Sequence, residues 1–134
     1  MKIPFDTHAH TVISDGAASP EEMVAAAEPI TEILALTDHL DMDVHLSGDR
    51  GHMSGAGDAG AFERLREAKR NNKTGVKLLA GVELGQAHQF VDEAEKWLAE
   101  HDYDYVLGSC HAVRGYKDFY CLDYSALDAD ALLR

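Results

Sequence analysis

The stretch "FDTHAHTVISDG", residues 5–16, places two histidines either side of one alanine, with Asp15 five residues after His10. In an extended strand residues i and i+2 point the same way, so His8 and His10 would deliver two imidazoles to one place. Three later stretches carry similar side chains. "LTDH" brings Asp38 and His39, "GVELG" brings Glu83, and "GSCH" brings His111. Any one of these histidines alone is more often structural than a ligand. Four apolar runs that each end in His or Glu point instead to one shared metal site. Imidazoles mixed with carboxylates, and no thiolate, suit Zn²⁺, Mn²⁺ or iron. A carboxylate such as Glu83 could bridge two cations, the arrangement that metal-assisted phosphate hydrolysis uses on its attacking and leaving oxygens.

The elements that must position these groups follow from the patterning. Apolar runs at residues 3–5, 32–37, 75–84 and 103–110 are the expected strands. Between the first two, "SPEEMVAAAEP" offers Ser19 as N-cap, Pro20 at the first helical position and Glu22 to close a capping box. "DAGAFERLREAKRNN" has helical spacing, with basic residues in its last turn before Asn71, Asn72 and Gly75. "HQFVDEAEKWLAEH" sets Phe90, Val91, Ala94, Trp97 and Leu98 on one stripe of an amphipathic helix. Strands alternating with helices imply an α/β fold around a parallel sheet. In a parallel βα barrel the C-terminal strand ends converge on one rim, where such folds place their active sites. Residues 40–57, rich in Gly, Asp and His, are expected to form a long functional or mobile loop. "SALDADALLR" begins like a capped helix at Ser125 and stops at Arg134, so a domain spanning 1–134 but truncated at its C-terminus is expected.

Composition narrows the function classes. Twelve Lys+Arg against 24 Asp+Glu give a formal charge of −12, which leaves no surplus of base to neutralise a long nucleic acid. The same balance is compatible with bound cations. Two cysteines without a CxxC pair exclude a Cys-rich zinc module and a disulfide framework, and a cytoplasmic location is expected. No apolar run is long enough to span a bilayer, so no membrane partner is expected.

Taken in order, "DTHAHTVISDG", "LALTDH", "GVELG" and "GSCHAV" resemble the successive motifs of the PHP (polymerase and histidinol phosphatase) superfamily. The run "GSCHAVRGYKDFY" makes the histidinol-phosphatase branch the most similar. The resemblance implies the N-terminal portion of a distorted (β/α)₇ TIM-like barrel and a centre of two or three divalent metal ions that hydrolyses phosphate esters. By the same resemblance His8, His10 and Glu83 match ligands of a first metal, and Glu83 and His111 of a second. His39 matches a third, with Asp15 as its companion. Glu83 and His39 would thereby act in catalysis. Asp6 and Asp38 would orient nearby histidines, or equally would cap turn amides. The family's C-terminal half supplies a further His and an Asp-x-His pair, whereas nothing after His111 is a histidine here. The first and fourth strands would be open edges, so a homo-oligomer or a missing C-terminal half is expected to complete the site.

Arg114, three residues past His111, is a candidate to reach a phosphate at the rim. His45 and His52 fall in the long loop without an assigned role, and His88 and His101 at the ends of a helix. Cys110 should point away from His111 and lie buried as a reduced thiol. The expected function is a metal-dependent phosphatase acting on a small phosphate monoester of the histidinol-phosphate type. The alternatives are a PHP phosphoesterase acting on nucleotides or phosphotyrosine, and a non-catalytic metal-binding or assembly module.

Overall fold

The computed structural model describes residues 1–48, 52–114, 117–126, 128 and 130. Five parallel strands form one twisted sheet: β1 (Asp6–Ala9), β2 (Ile33–Leu36), β3 (His39–Asp41), β4 (Lys77–Gly85) and β5 (Tyr105–Ser109). β1 pairs with β2, and β4 is the axis of the sheet. Its first half pairs with β2 through Ile33–Lys77 to Leu36–Ala80, and its second half with β3 through His39–Glu83 to Asp41–Gly85. β5 runs along the opposite side of β4. β2 and β3 are one interrupted strand, so the ladder has four positions, with β1 and β5 at its edges among the described residues. This is a parallel half-barrel sheet of an α/β fold, the N-terminal part of a TIM-like barrel.

Four helices connect the strands: α1 (Pro20–Ala27), α2 (Met42–Ser47), α3 (Ala61–Asn71) and α4 (Val91–Glu100). The capping box of α1 forms as its sequence predicts: Glu22 N donates to Ser19 Oγ, and Ser19 N donates to the Glu22 carboxylate. Strand alternation then divides the sheet. Even-numbered residues of β2 and β4 face outward, where Leu34, Leu36, Leu78 and Ala80 pack against Val24 of α1 and Leu65 of α3. Leu40, Val82 and Leu84 pack likewise against Ala94, Trp97 and Leu98 of α4. Each such leucine, fully buried, contributes about 2 kcal/mol. Odd-numbered residues, including His39, Asp41, Glu83 and Gly85, face the barrel interior.

Three expectations change. Residues 40–57 are not one loop, because β3, α2 and a 3₁₀ segment over His52–Gly57 occupy most of the described part. The first strand starts at Asp6, and of residues 3–5 only Ile3 makes an isolated bridge, to Thr31. Val91 opens α4 but is exposed rather than part of its buried stripe. Of the helix expected from Ser125, the described residues include a 3₁₀ turn at Tyr124–Ala126 and a helical Asp130, and the rest lies mainly outside them.

Candidate metal centre

The interior-facing strand ends meet at Glu83. This carboxylate, 2% exposed, sits in β4 directly beside His39 across the β3 ladder. Its Oε2 lies 2.9 Å from His39 Nδ1, 3.2 Å from His10 Nε2 and 3.4 Å from His8 Nε2. Its Oε1 lies 3.1 Å from His111 Nε2, two residues beyond the end of β5. One carboxylate therefore faces three imidazoles with one oxygen and a fourth with the other.

The turn after β1 brings in Asp15. Asp38, fully buried, accepts from Thr11 N, Thr11 Oγ1, Ser14 N and Ser14 Oγ at 2.7–3.1 Å, which pins that turn. Gly16 closes it by donating to Thr11 O, and a Cβ there would lie 2.4 Å from the His10 carbonyl oxygen. Asp15 Oδ1 is thereby 2.7 Å from His10 Nδ1, and its Oδ2 is 3.5 Å from His39 Nε2. Because an ionised carboxylate only accepts, Asp15 holds a proton on His10 Nδ1; the charged ring turns Nε2–H toward Glu83, and the neutral ring would turn its Nε2 lone pair there.

Charge at the site is strongly coupled. Burial opposes ionisation of Glu83, but His10 and His39 beside it hold its carboxyl far below the usual range. Glu83 in turn raises His10 to about 9, helped by Asp15 and opposed by burial. Burial likewise works against a charged His111, and Asp41 and Glu83 outweigh it to raise its pKa. Burial raises Asp41, despite its His111 partner, whereas His10 and His39 overcome burial to lower Asp15.

These contacts test directly whether a cation fits. His10 Nε2, His39 Nδ1 and Glu83 Oε2 are buried, yet none makes a hydrogen bond of adequate geometry. Buried polar atoms are ordinarily paired, so converging donors left this way suit a positive charge among them. The donor atoms fall into overlapping groups within 4.8 Å: His8, His10 and Glu83; His10, Asp15 and His39; His39, Glu83 and His111. An open cavity of about 420 Å³ adjoins them, bordered by His39, His111, Met53 and Tyr120.

The structure thus brings together all six residues named as candidate ligands: His8, His10, Asp15, His39, Glu83 and His111. It does not bring Arg114 to them; that side chain is exposed in the turn after His111 and does not border the cavity. Of the two roles open to Asp38, alternation selects one. It points opposite to His39, so it caps turn amides rather than orienting a ring. Asp6 similarly accepts from the His8 amide at 3.3 Å. Cys110 is exposed rather than buried, because no helix among the described residues covers the outer face of β5. His45 packs on Trp97, and His101 stacks on the same indole at 4.1 Å. His88 is exposed, and the side chain of His52 lies outside the described residues. Sequence reasoning missed Asp41, whose carboxylate holds His111 Nδ1 at 2.9 Å. Its position two residues after His39 was the available signal. It also missed Gln86, for which no sequence signal existed, and Asp118, which groups with Asp41 and His111.

Comparison with known families agrees with this geometry: the model of the PHP domain matches residues 6–134. The chain belongs to the PHP domain family. A probable histidinol-phosphatase of Clostridium acetobutylicum is 30% identical over 113 residues, covering 83% of this PHP chain. The chain spans 40% of that relative's length. No solved structure matches it. The His, Asp and Glu groups around Glu83 are where this PHP domain could hold metal ions. Among its described residues no helix is long and apolar enough to cross a membrane.

Proposed function

We propose that this PHP domain is a metal-dependent phosphatase that hydrolyses a small phosphate monoester of the histidinol-phosphate type. The observation that carries the reading is the division of Glu83 between two sets of imidazoles, three on one oxygen and one on the other. His8, His10 and Glu83 would hold one cation, Glu83 and His111 a second, and His39 with Asp15 a third, each Zn²⁺, Mn²⁺ or iron. Divalent cations supply Lewis-acid polarisation of phosphoryl oxygens and make water acidic enough to attack at neutral pH. The chain's own residues do the rest. Glu83 stays ionised and keeps four rings converged, and Asp15 fixes the proton of His10 on Nδ1. The cavity beside His39 and His111 admits the ester from the rim. Arg114, if drawn inward by substrate, would meet the phosphate as a guanidinium.

The small phosphorylated substrate is the proposed partner, with no long nucleic acid and no membrane. Completion of the site by a second copy or by further barrel strands belongs to the same proposal. β1 and β5 each pair on one side only among the described residues, and such edges accept another strand.

The test is turnover of histidinol phosphate, with a nucleoside monophosphate and phosphotyrosine as comparators, after metal removal and after readdition of Zn²⁺ or Mn²⁺. Metal-dependent turnover that Glu83→Gln abolishes is expected. Full activity in Glu83→Gln would overturn the bridging role, and metal binding without turnover of any monoester would favour a non-catalytic module.

A further inference from the structure

We propose that Asp41 and Gln86, seated by Gly85, form a clamp that orients His111 so that Nε2 is its metal-binding atom. The inference rests on the metal-centre reading above and assigns positioning roles to two residues outside the ligand set.

The clamp is built from three adjacent features. Asp41, 1% exposed, ends β3 on the interior face and pairs in register with Gly85 of β4. A Cβ at Gly85 would lie 2.1 Å from Asp41 Oδ1 and 2.5 Å from its Cγ. Only glycine leaves the carboxylate room against the β4 backbone. The next residue, Gln86, has φ 57, the left-handed region, and it is the only non-glycine there among the described residues. Such a conformation costs about 1 kcal/mol or more and persists where surrounding contacts over-determine it.

Those contacts all lead to His111. Gln86, 2% exposed, donates through Nε2 to Asp41 Oδ2 at 3.2 Å. Its Oε1 accepts from His111 N at 2.7 Å and from Ala112 N at 3.4 Å. Asp41 places both oxygens at 2.9–3.0 Å from His111 Nδ1. Gln86 thus holds the backbone of the residue while Asp41 holds its ring. With Nδ1–H committed to a carboxylate, the lone pair left to the neutral ring is Nε2, 3.1 Å from Glu83 Oε1. A carboxylate behind a ligating histidine fixes its tautomer and raises its basicity.

The experiment is Zn²⁺ titration of the full chain as wild type, Asp41→Asn, Gln86→Met and the double variant Asp41→Asn/Gln86→Glu. Either single change weakens Zn²⁺ binding by roughly 10- to 100-fold. In Asp41→Asn the introduced amide sets an N–H against either His111 Nδ1–H or the Gln86 amide. The double variant exchanges donor and acceptor between the two positions, so it recovers most of the lost affinity. The ¹⁵N spectrum of His111 in the zinc-loaded wild type provides a readout that a merely structural role would not move. The proton is expected on Nδ1 and not on Nε2.

Protonated Nε2 in that spectrum overturns the proposal, whether or not the variants fold. So do single variants that bind Zn²⁺ within twofold of wild type, or a folded double variant that recovers nothing. Zinc bound equally by every variant defeats the clamp and leaves the metal centre standing. A wild type that binds no Zn²⁺ defeats both.

Discussion

In the metal-free protein, the proton on His10 is the stand-in for a missing cation, and removing the charge of Glu83 should release it. His10 is raised from 6.5 to about 9, Glu83 being the largest cause, opposed by burial and helped by Asp15. At about 1.4 kcal/mol per pH unit, that rise corresponds to about 3 kcal/mol favouring the imidazolium. The ring is 19% exposed, so solvent screens only part of this. Glu83→Gln keeps the shape and deletes the charge, leaving Asp15 alone against the cost of burial. The His10 pKa should then fall by about one pH unit or more. The assay is a ¹H–¹⁵N titration of the histidine rings in chelator-treated protein, with His10 assigned by its own substitution. The sign also fixes a stability effect. A raised histidine contributes stability that is fully present below pH 6.5 and lost as pH rises through about 9. Unfolding free energy of the metal-free wild type should therefore decline across that window, and that of Glu83→Gln should decline less. A His10 pKa that stays near 9 in Glu83→Gln would refute the reasoning, because Asp15 alone would then account for the shift.

Three other outcomes follow from the same structure. Metal binding must displace the His10 proton, so apparent Zn²⁺ affinity should rise by up to about tenfold per pH unit below pH 9, with proton release in calorimetry; affinity independent of pH would contradict this. Asp104 accepts from Lys69 Nζ at 2.6 Å and from Ala80 N at 2.7 Å, and its pKa is lowered, burial being outweighed by these donors. Its contribution is present above the ordinary aspartate pKa and lost as pH falls through its lowered value, so Asp104→Asn should cost about 1 kcal/mol at neutral pH and nothing in strong acid. Ser19→Ala removes the cap of α1 and should lower stability by about 1 kcal/mol in denaturant unfolding, without changing Zn²⁺ affinity.

Much of the site was legible because chain alternation is a local rule. His8 and His10, i and i+2, fall on one side whatever the tertiary context. The apolar runs ended where interior-facing ligands begin, so Glu83 and His111 could be named with no knowledge of pairing. Asp38 shows where that reasoning needed the register: its neighbour His39 turns inward, and alternation sends the carboxylate to the β1–α1 turn. Residues 40–57 resemble a loop in sequence because glycine and polar residues suppress strand and helix signals. Yet β3 is only three residues long and is held by β4, a contact no local pattern reveals. Gln86 was invisible for a related reason. Its role depends on a left-handed backbone and on chain segments 25 and 45 residues away. The exposure of Cys110 is not legible in sequence, because burial of an outer strand face depends on a covering helix.

Four strand ends converge on Glu83 and together should hold one metal centre. Anomalous scattering at the zinc or manganese edge, from crystals of the wild type equilibrated with that metal, tests it most directly. Peaks are expected between His8, His10 and Glu83, between Glu83 and His111, and between His39 and Asp15, with those beside Glu83 lost or reduced in Glu83→Gln. Metal bound elsewhere on the acidic surface, with no peak beside Glu83, would contradict it.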